Sequence, residues 1–141
     1  MLRKFMFATV LAVVGVALGG PWALSWLGLY GTKGYPAPPK TIATREQQLE
    51  VWRLARGTEE PRSLELNPYN YLPLAAEPGA EKSAILVAWW VASDFNLKHQ
   101  RHPGMGWWHL SGAALTIWLS RNWSIEQLLS KAAETRLKSA A

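Results

Sequence analysis

Residues 107–129, WWHLSGAALTIWLSRNWSIEQLL, decide how this chain folds. They are rich in tryptophan and apolar residues but interrupted by His109, Ser111, Thr116 and Arg121, so a membrane span, a core helix and part of a site all compete as readings. From Trp107 to Leu119 the apolar positions Trp108, Leu110, Ala113, Ala114, Ile117 and Trp118 recur at spacings of three and four, the period of a mostly buried helix with one polar edge. About thirteen residues are too few for a span, which needs roughly twenty. Ser124 followed by Gln127 is a capping-box pattern, and Trp123 and Leu128 stand at the hydrophobic-staple positions around it, so a new helix begins at Ile125. That helix turns Leu128, Leu129, Ala132 and Ala133 inward. The stretch reads as two helices joined at the corner Arg121-Asn122-Trp123-Ser124, its tryptophans serving the core.

Working toward the N-terminus, HQRHPGMG at 99–106 is a loop, because Pro103, Gly104 and Gly106 interrupt any regular pattern. Before it, AEKSAILVAWWVASDFNLKH at 80–99 is apolar around its whole circumference from Ala84 to Ala92, which makes it a central helix buried on most sides. Between Thr58 and Gly79, Pro61, Pro68, Pro73 and Pro78 argue against a long helix, and NPYNYLPL is expected to be an ordered loop packing its tyrosines on the core. Thr44 with Gln47 is another capping box, opening an amphipathic helix with Leu49, Val51, Trp52, Leu54 and Ala55 on one face and Gly57 as its stop. No strand pattern of useful length and no internal repeat is visible.

Residues 5–29, FMFATVLAVVGVALGGPWALSWLGL, carry no charge and follow Arg3 and Lys4. They are long enough to cross a hydrocarbon core of roughly 30 Å. Ala17-Leu18-Gly19 offers small residues for signal cleavage, but the apolar run continues past it to an aromatic cluster of Trp22, Trp26 and Tyr30 suited to a membrane interface. An uncleaved anchor is the preferred reading. Residues 31–43, GTKGYPAPPKTIA, read as a stiff extended tether because their prolines lock φ. The expected organisation is therefore a transmembrane signal-anchor at 1–30, a tether at 31–43 and a small helical domain at 44–141.

Composition excludes several classes of function. Fifteen Lys and Arg against ten Asp and Glu, scattered along the chain, provide no basic run of the kind a nucleic-acid groove needs. The absence of cysteine removes disulfides, thiolate metal sites and a cysteine nucleophile together. His99, His102 and His109 lack the spacing of a zinc motif, so no metal and no cofactor is expected. Between Lys82 and Ile125 the sole acid is Asp94, which reads either as a catalytic carboxylate or as a helix-end partner for Lys98. Arg121 stands at the corner beside Trp123, where a guanidinium can hold a carboxylate or phosphate by two hydrogen bonds, or can simply be solvated.

The segment from His109 to Glu134 resembles the later motifs of the biosynthetic peptidoglycan glycosyltransferases, the lysozyme-like domains that polymerise lipid II. Leu119-Ser120-Arg121-Asn122-Trp123-Ser124 stands at that family's Leu-Glu-Arg-Arg-Tyr-Ser corner, and Gln127-Leu128-Leu129 at the Glu-Ile-Leu of its next helix. VASDFNLKH is similar to its first motif, Ala-x-Glu-Asp-x-x-Phe-x-x-His. Against that pattern the first glutamate falls at Ser93, with Asp94 in the neighbouring acid position, and the later glutamate falls at Gly112. The family's Gly-Gly-Ser-Thr-Ile-Thr-Gln-Gln segment has no counterpart.

The resemblance implies a mainly α protein, one transmembrane helix followed by a small lysozyme-like all-helical domain, in the bacterial inner membrane with the domain in the periplasm. It further implies a non-catalytic module that binds peptidoglycan, its lipid-linked precursor or an envelope protein, through Trp108, His109, Arg121 and Trp123. Two alternatives stay open: a divergent transglycosylase using Asp94, and an accessory subunit of a membrane complex whose tryptophans pack on a partner.

Overall fold

The computed structural model of the chain describes residues 2–138. Six helices carry it: α1 (Leu2–Tyr30), α2 (Arg45–Leu54), α3 (Tyr71–Ala76), α4 (Ala80–His99), α5 (Met105–Asn122) and α6 (Ile125–Arg136). Among the described residues there is no strand, only an isolated antiparallel bridge between Thr32 and Gln100.

Helix α1 is long and apolar enough to cross a membrane, and its best apolar window has no part buried inside the protein. It runs through Pro21 to Tyr30 without a break. Pro21 denies the Ala17 carbonyl its usual donor four residues on. One residue further, the Tyr69 hydroxyl donates to the Leu18 carbonyl, an example of a neighbouring side chain serving backbone near a helical proline. The last turns of α1 lie antiparallel to α5, Trp22 beside Arg121 and Gly28 beside Leu110 and Ala114. This close approach requires small residues. A Cβ on Gly28 would sit 2.6 Å from the Leu110 carbonyl oxygen and 2.7 Å from the Ala114 Cβ.

Both capping boxes form as the sequence predicts. The Thr44 hydroxyl accepts from the Gln47 amide and the Gln47 side chain from the Thr44 amide, and Ser124 and Gln127 do the same at α6. Trp123 and Leu128 are both buried in one core cluster, as staple geometry requires. Helix α4 is the central helix, packed on α2, α3, α5 and α6. Around it Val51, Trp52, Val87, Val91, Leu115, Leu119, Leu128 and Leu129 form the core, with a smaller cluster of Leu66, Ile85 and Ile117 beneath α3. Each large apolar side chain buried there contributes about 1.5–3 kcal/mol. The ion pairs are mostly on exposed side chains, where about 0–1 kcal/mol each is expected, so the core and not the charges holds the domain.

Four features differ from the sequence reading. Helix α5 runs from Met105 to Asn122, so Met105 and Gly106, expected in the loop, and Arg121 and Asn122, expected in the corner, are helical. NPYNYLPL contains a short helix, α3, and only Tyr71 of its tyrosines packs on the core; Tyr69 reaches sideways to α1. The α2 stop is made by Arg56, not Gly57: Arg56 has φ 62°, its amide donates to the Arg53 carbonyl and the Gly57 amide to the Trp52 carbonyl, a Schellman pair. Gly57 instead lies flat against Trp52, where a Cβ would come within 2.1 Å of Nε1. Finally, residues 31–43 are pinned to the domain along their length. The Lys33 amide donates to the His99 carbonyl, the Arg101 amide to the Gly31 carbonyl, Tyr35 stacks on Trp118 at 4.6 Å, and the Ala43 amide donates to Ser130 Oγ.

Candidate functional site

The residues singled out in the sequence fall into three separate places. Asp94 is on the face of α4 that meets α6. Its Oδ2 accepts from the Thr135 hydroxyl at 3.0 Å and its Oδ1 from Arg136 at 3.4 Å, so the partner is Arg136 and not Lys98. Lys98 stands four residues on along α4, but Asp94 instead bridges to α6, whose Arg136 guanidinium also covers the Trp90 ring at 5.1 Å. With both oxygens engaged, this carboxylate acts as a cross-helix clasp.

Trp108 and His109 lie together on the first turns of α5, against Trp89 of α4. The Trp89 and Trp108 rings meet edge to face at 5.4 Å, and Trp89 and His109 stack at 6.4 Å. Gly112 lies one turn further along the same face, directly under the Trp89 ring. Gly112, which the resemblance sets against that family's later glutamate, is thus a helix-packing contact covered by an indole. Beside this cluster Asn96 is fully buried, its Nδ2 donating to the Trp108 carbonyl at 3.0 Å while its Oδ1 has no hydrogen-bond partner.

Arg121 sits at the far end of α5, about 20 Å from Trp108 at 1.5 Å per residue. It pairs with Glu65 at 2.9 Å, donates to the Leu66 carbonyl at 3.2 Å and lies over the Trp22 ring at 5.8 Å. The guanidinium thus ties the loop before α3 to α5 and to α1. Trp123, next to it in sequence, is turned into the core and is 8% exposed. Asp94, the Trp108–His109 pair and Arg121 share no cleft: the first two lie near the α4–α5 loop and the last near the opposite end of the hairpin.

The remaining histidines, His99 and His102, pack on separate aromatic partners. His99 stacks on Phe95 at 4.0 Å and donates to its carbonyl, while His102 packs on Trp107 at 4.6 Å near Tyr30. Among the described residues no group of three His, Asp or Glu side chains gathers that could hold a metal ion.

Sequence reasoning missed two elements of this surface. One is the α1–α5 seam of Gly28, Gly31, Ser111 and Ala114, whose signal was the run of small residues at helical spacing on both segments. The other is an apolar groove of about 290 Å³ bounded by Pro21, Leu24, Pro68, Leu72, Leu110 and Ala113, between α1, α3 and α5. It had no local signal, because its walls come from three distant parts of the chain. Comparison of the chain with protein-family models, with curated proteins and with solved structures finds no match.

Proposed function

We propose that this chain is a single-pass bacterial inner-membrane protein whose periplasmic helical domain is a non-catalytic module serving an envelope protein complex. The observation that carries this reading is the pairing of Gly112 with the Trp89 indole. If the segment descends from the peptidoglycan glycosyltransferases that it resembles, the place of a catalytic glutamate has been given over to packing. Asp94 supports the same reading, since both of its oxygens are committed to Thr135 and Arg136.

The docking of α1 on α5 supports an accessory role as well. Small residues and the pinned segment at 31–43 make anchor and domain one body, so a partner that holds the anchor also orients the domain. A second reading, recognition of peptidoglycan or its lipid-linked precursor, is favoured by the half-exposed aromatic group of Trp89, Trp108 and His109, because sugars stack on such rings.

The test is incubation of the purified full chain with lipid II beside a working polymerase, together with gentle solubilisation of membranes and identification of what co-purifies. No glycan polymer and a stable protein partner are expected. Polymer formation that is abolished by Asp94→Ala would overturn the non-catalytic reading in favour of a divergent transglycosylase.

A further inference from the structure

The exposed apolar tip of α3, and the end of the groove at Pro21, are at a depth that a spanning α1 would carry into the bilayer; the rest of the groove, beside Leu24 and Ser25, lies at the edge of that depth. An α-helix rises about 1.5 Å per residue, so a hydrocarbon core of roughly 30 Å takes about twenty residues. Counted from Phe5, the first residue after Arg3 and Lys4, that length ends near Leu24. Tyr69 touches α1 at Leu18, roughly 9 Å short of that boundary on the same rise per residue. Any tilt of α1 lengthens the stretch inside the hydrocarbon and lowers the contact further.

The side chains at this level match such a setting. Leu72 is 72% exposed although it is a large apolar residue, and Tyr69 and Leu24 are exposed beside it. The groove they border, about 290 Å³, is walled chiefly by carbon. The Arg121–Glu65 ion pair lies beside Trp22, within about 3 Å of the boundary near Leu24. In water this face would leave a contiguous apolar patch uncovered, which soluble surfaces avoid.

We propose that α3 inserts into the same leaflet as the second half of α1, as a contact that does not span, and that an acyl chain of a bilayer lipid fills the groove. The inference rests on the reading of α1 as a membrane span. Lipid is the occupant because the groove is continuous with the apolar surface of α1 and reaches, at Pro21, the depth where lipid chains surround that helix. The device adds a second hold on the membrane to the docking of α1 on α5, which already ties the domain to its anchor.

The chain has no native cysteine, so single sites can be spin-labelled in the full protein reconstituted into phosphatidylcholine and phosphatidylglycerol vesicles. Labels at Leu72→Cys on α3, Ala113→Cys in the groove, Val10→Cys on free α1 and Leu54→Cys on α2 are compared for collision with oxygen, which concentrates in lipid, and with a water-soluble nickel chelate. The expected result is lipid-type accessibility at 72, 113 and 10, with several-fold preference for oxygen, and water-type accessibility at 54. A water-type label at 72 with a lipid-type label at 10 overturns the proposal and leaves the anchor intact. Water-type labels at both 10 and 72 overturn the span reading and the proposal with it. A lipid-type label at 72 with a label at 113 shielded from both reagents overturns the occupancy of the groove by lipid. Shielding at 72 with spin–spin broadening identifies a second copy as the occupant and overturns it as well.

Discussion

Gly112 lies so close under the Trp89 indole that a Cβ on the glycine would come within 2.8 Å of ring carbons Cη2 and Cζ3. Real Cβ atoms do not approach this closely, so any side chain at 112 must push α5 from α4. Gly112→Ala is expected to lower stability by about 1–3 kcal/mol, the usual cost of overpacking a core. Thermal unfolding in detergent would measure it. Combining Gly112→Ala with Trp89→Leu should return part of the loss, because the smaller side chain vacates the contested space; strict additivity of the two changes would reject the contact as the cause.

The α1–α5 seam makes a second expectation. Gly28 faces the Leu110 carbonyl and Ala114, and Gly31 faces Ser111 Oγ, where a Cβ would come within 2.2 Å. Gly28→Val should pry the last turns of α1 from α5, with a loss of about 1–3 kcal/mol. Ser111→Ala should behave oppositely. The Ser111 hydroxyl is buried with no hydrogen-bond partner, so its removal is expected to be neutral or to stabilise by up to about 1 kcal/mol. A disulfide test across the seam would show whether Gly28→Val separates the helices: a Ser25→Cys, Ile117→Cys pair that cross-links in the parent should cross-link more slowly in the variant.

How much of this was legible in the sequence depends on whether the signal is local. The two capping boxes, the staple of Trp123 and Leu128, the central helix and the apolar α1 were all legible, because each is specified by residues within a turn or two of one another. Arg56 was not: the sequence offers Gly57 as the obvious stop, whereas Gly57 packs against Trp52 and the left-handed residue is Arg56. The candidate site fared worse for the same reason. Asp94 looked toward Lys98 on its own helix, yet Thr135 and Arg136 approach it from α6, and no periodicity reports which helix will lie across a groove. Gly112 read as a missing glutamate until Trp89 gave it a tertiary reason. Tyr69 read as a core residue because nothing local says that α1 will pass beside it.

Arg56 therefore carries a third prediction. A non-glycine residue in the left-handed region costs roughly 1–2 kcal/mol in backbone strain, partly offset by the extra freedom that glycine adds to the unfolded chain. Arg56→Gly is expected to stabilise the domain by about 0.5–1 kcal/mol. Gly57→Ala should do the reverse and cost more, since its Cβ would meet the Trp52 ring whose Nε1 donates to the Glu59 carbonyl at 2.7 Å. Denaturant titration of both variants would decide the matter; equal effects of one sign would show that the stop is not built as described.

Ser124 makes the last prediction, which joins a cap to a titration. Its hydroxyl oxygen accepts from the Gln127 amide, and its hydroxyl hydrogen bonds the Glu126 carboxylate, which together with the Glu126 backbone amide holds that carboxyl below the usual range. A lowered folded-state pKa means that ionised Glu126 favours the folded chain at pH above the ordinary carboxylate value, and that this contribution is lost as pH falls through the lowered folded value. Ser124→Ala removes both bonds. It is expected to cost about 1 kcal/mol at neutral pH, chiefly through the cap, because Glu126 is exposed and its ionisation is well screened. The Glu126 carboxyl followed by carbon-detected NMR should titrate at higher pH in Ser124→Ala than in the parent. A titration unmoved by the substitution would assign the depression to the helix N-terminus alone.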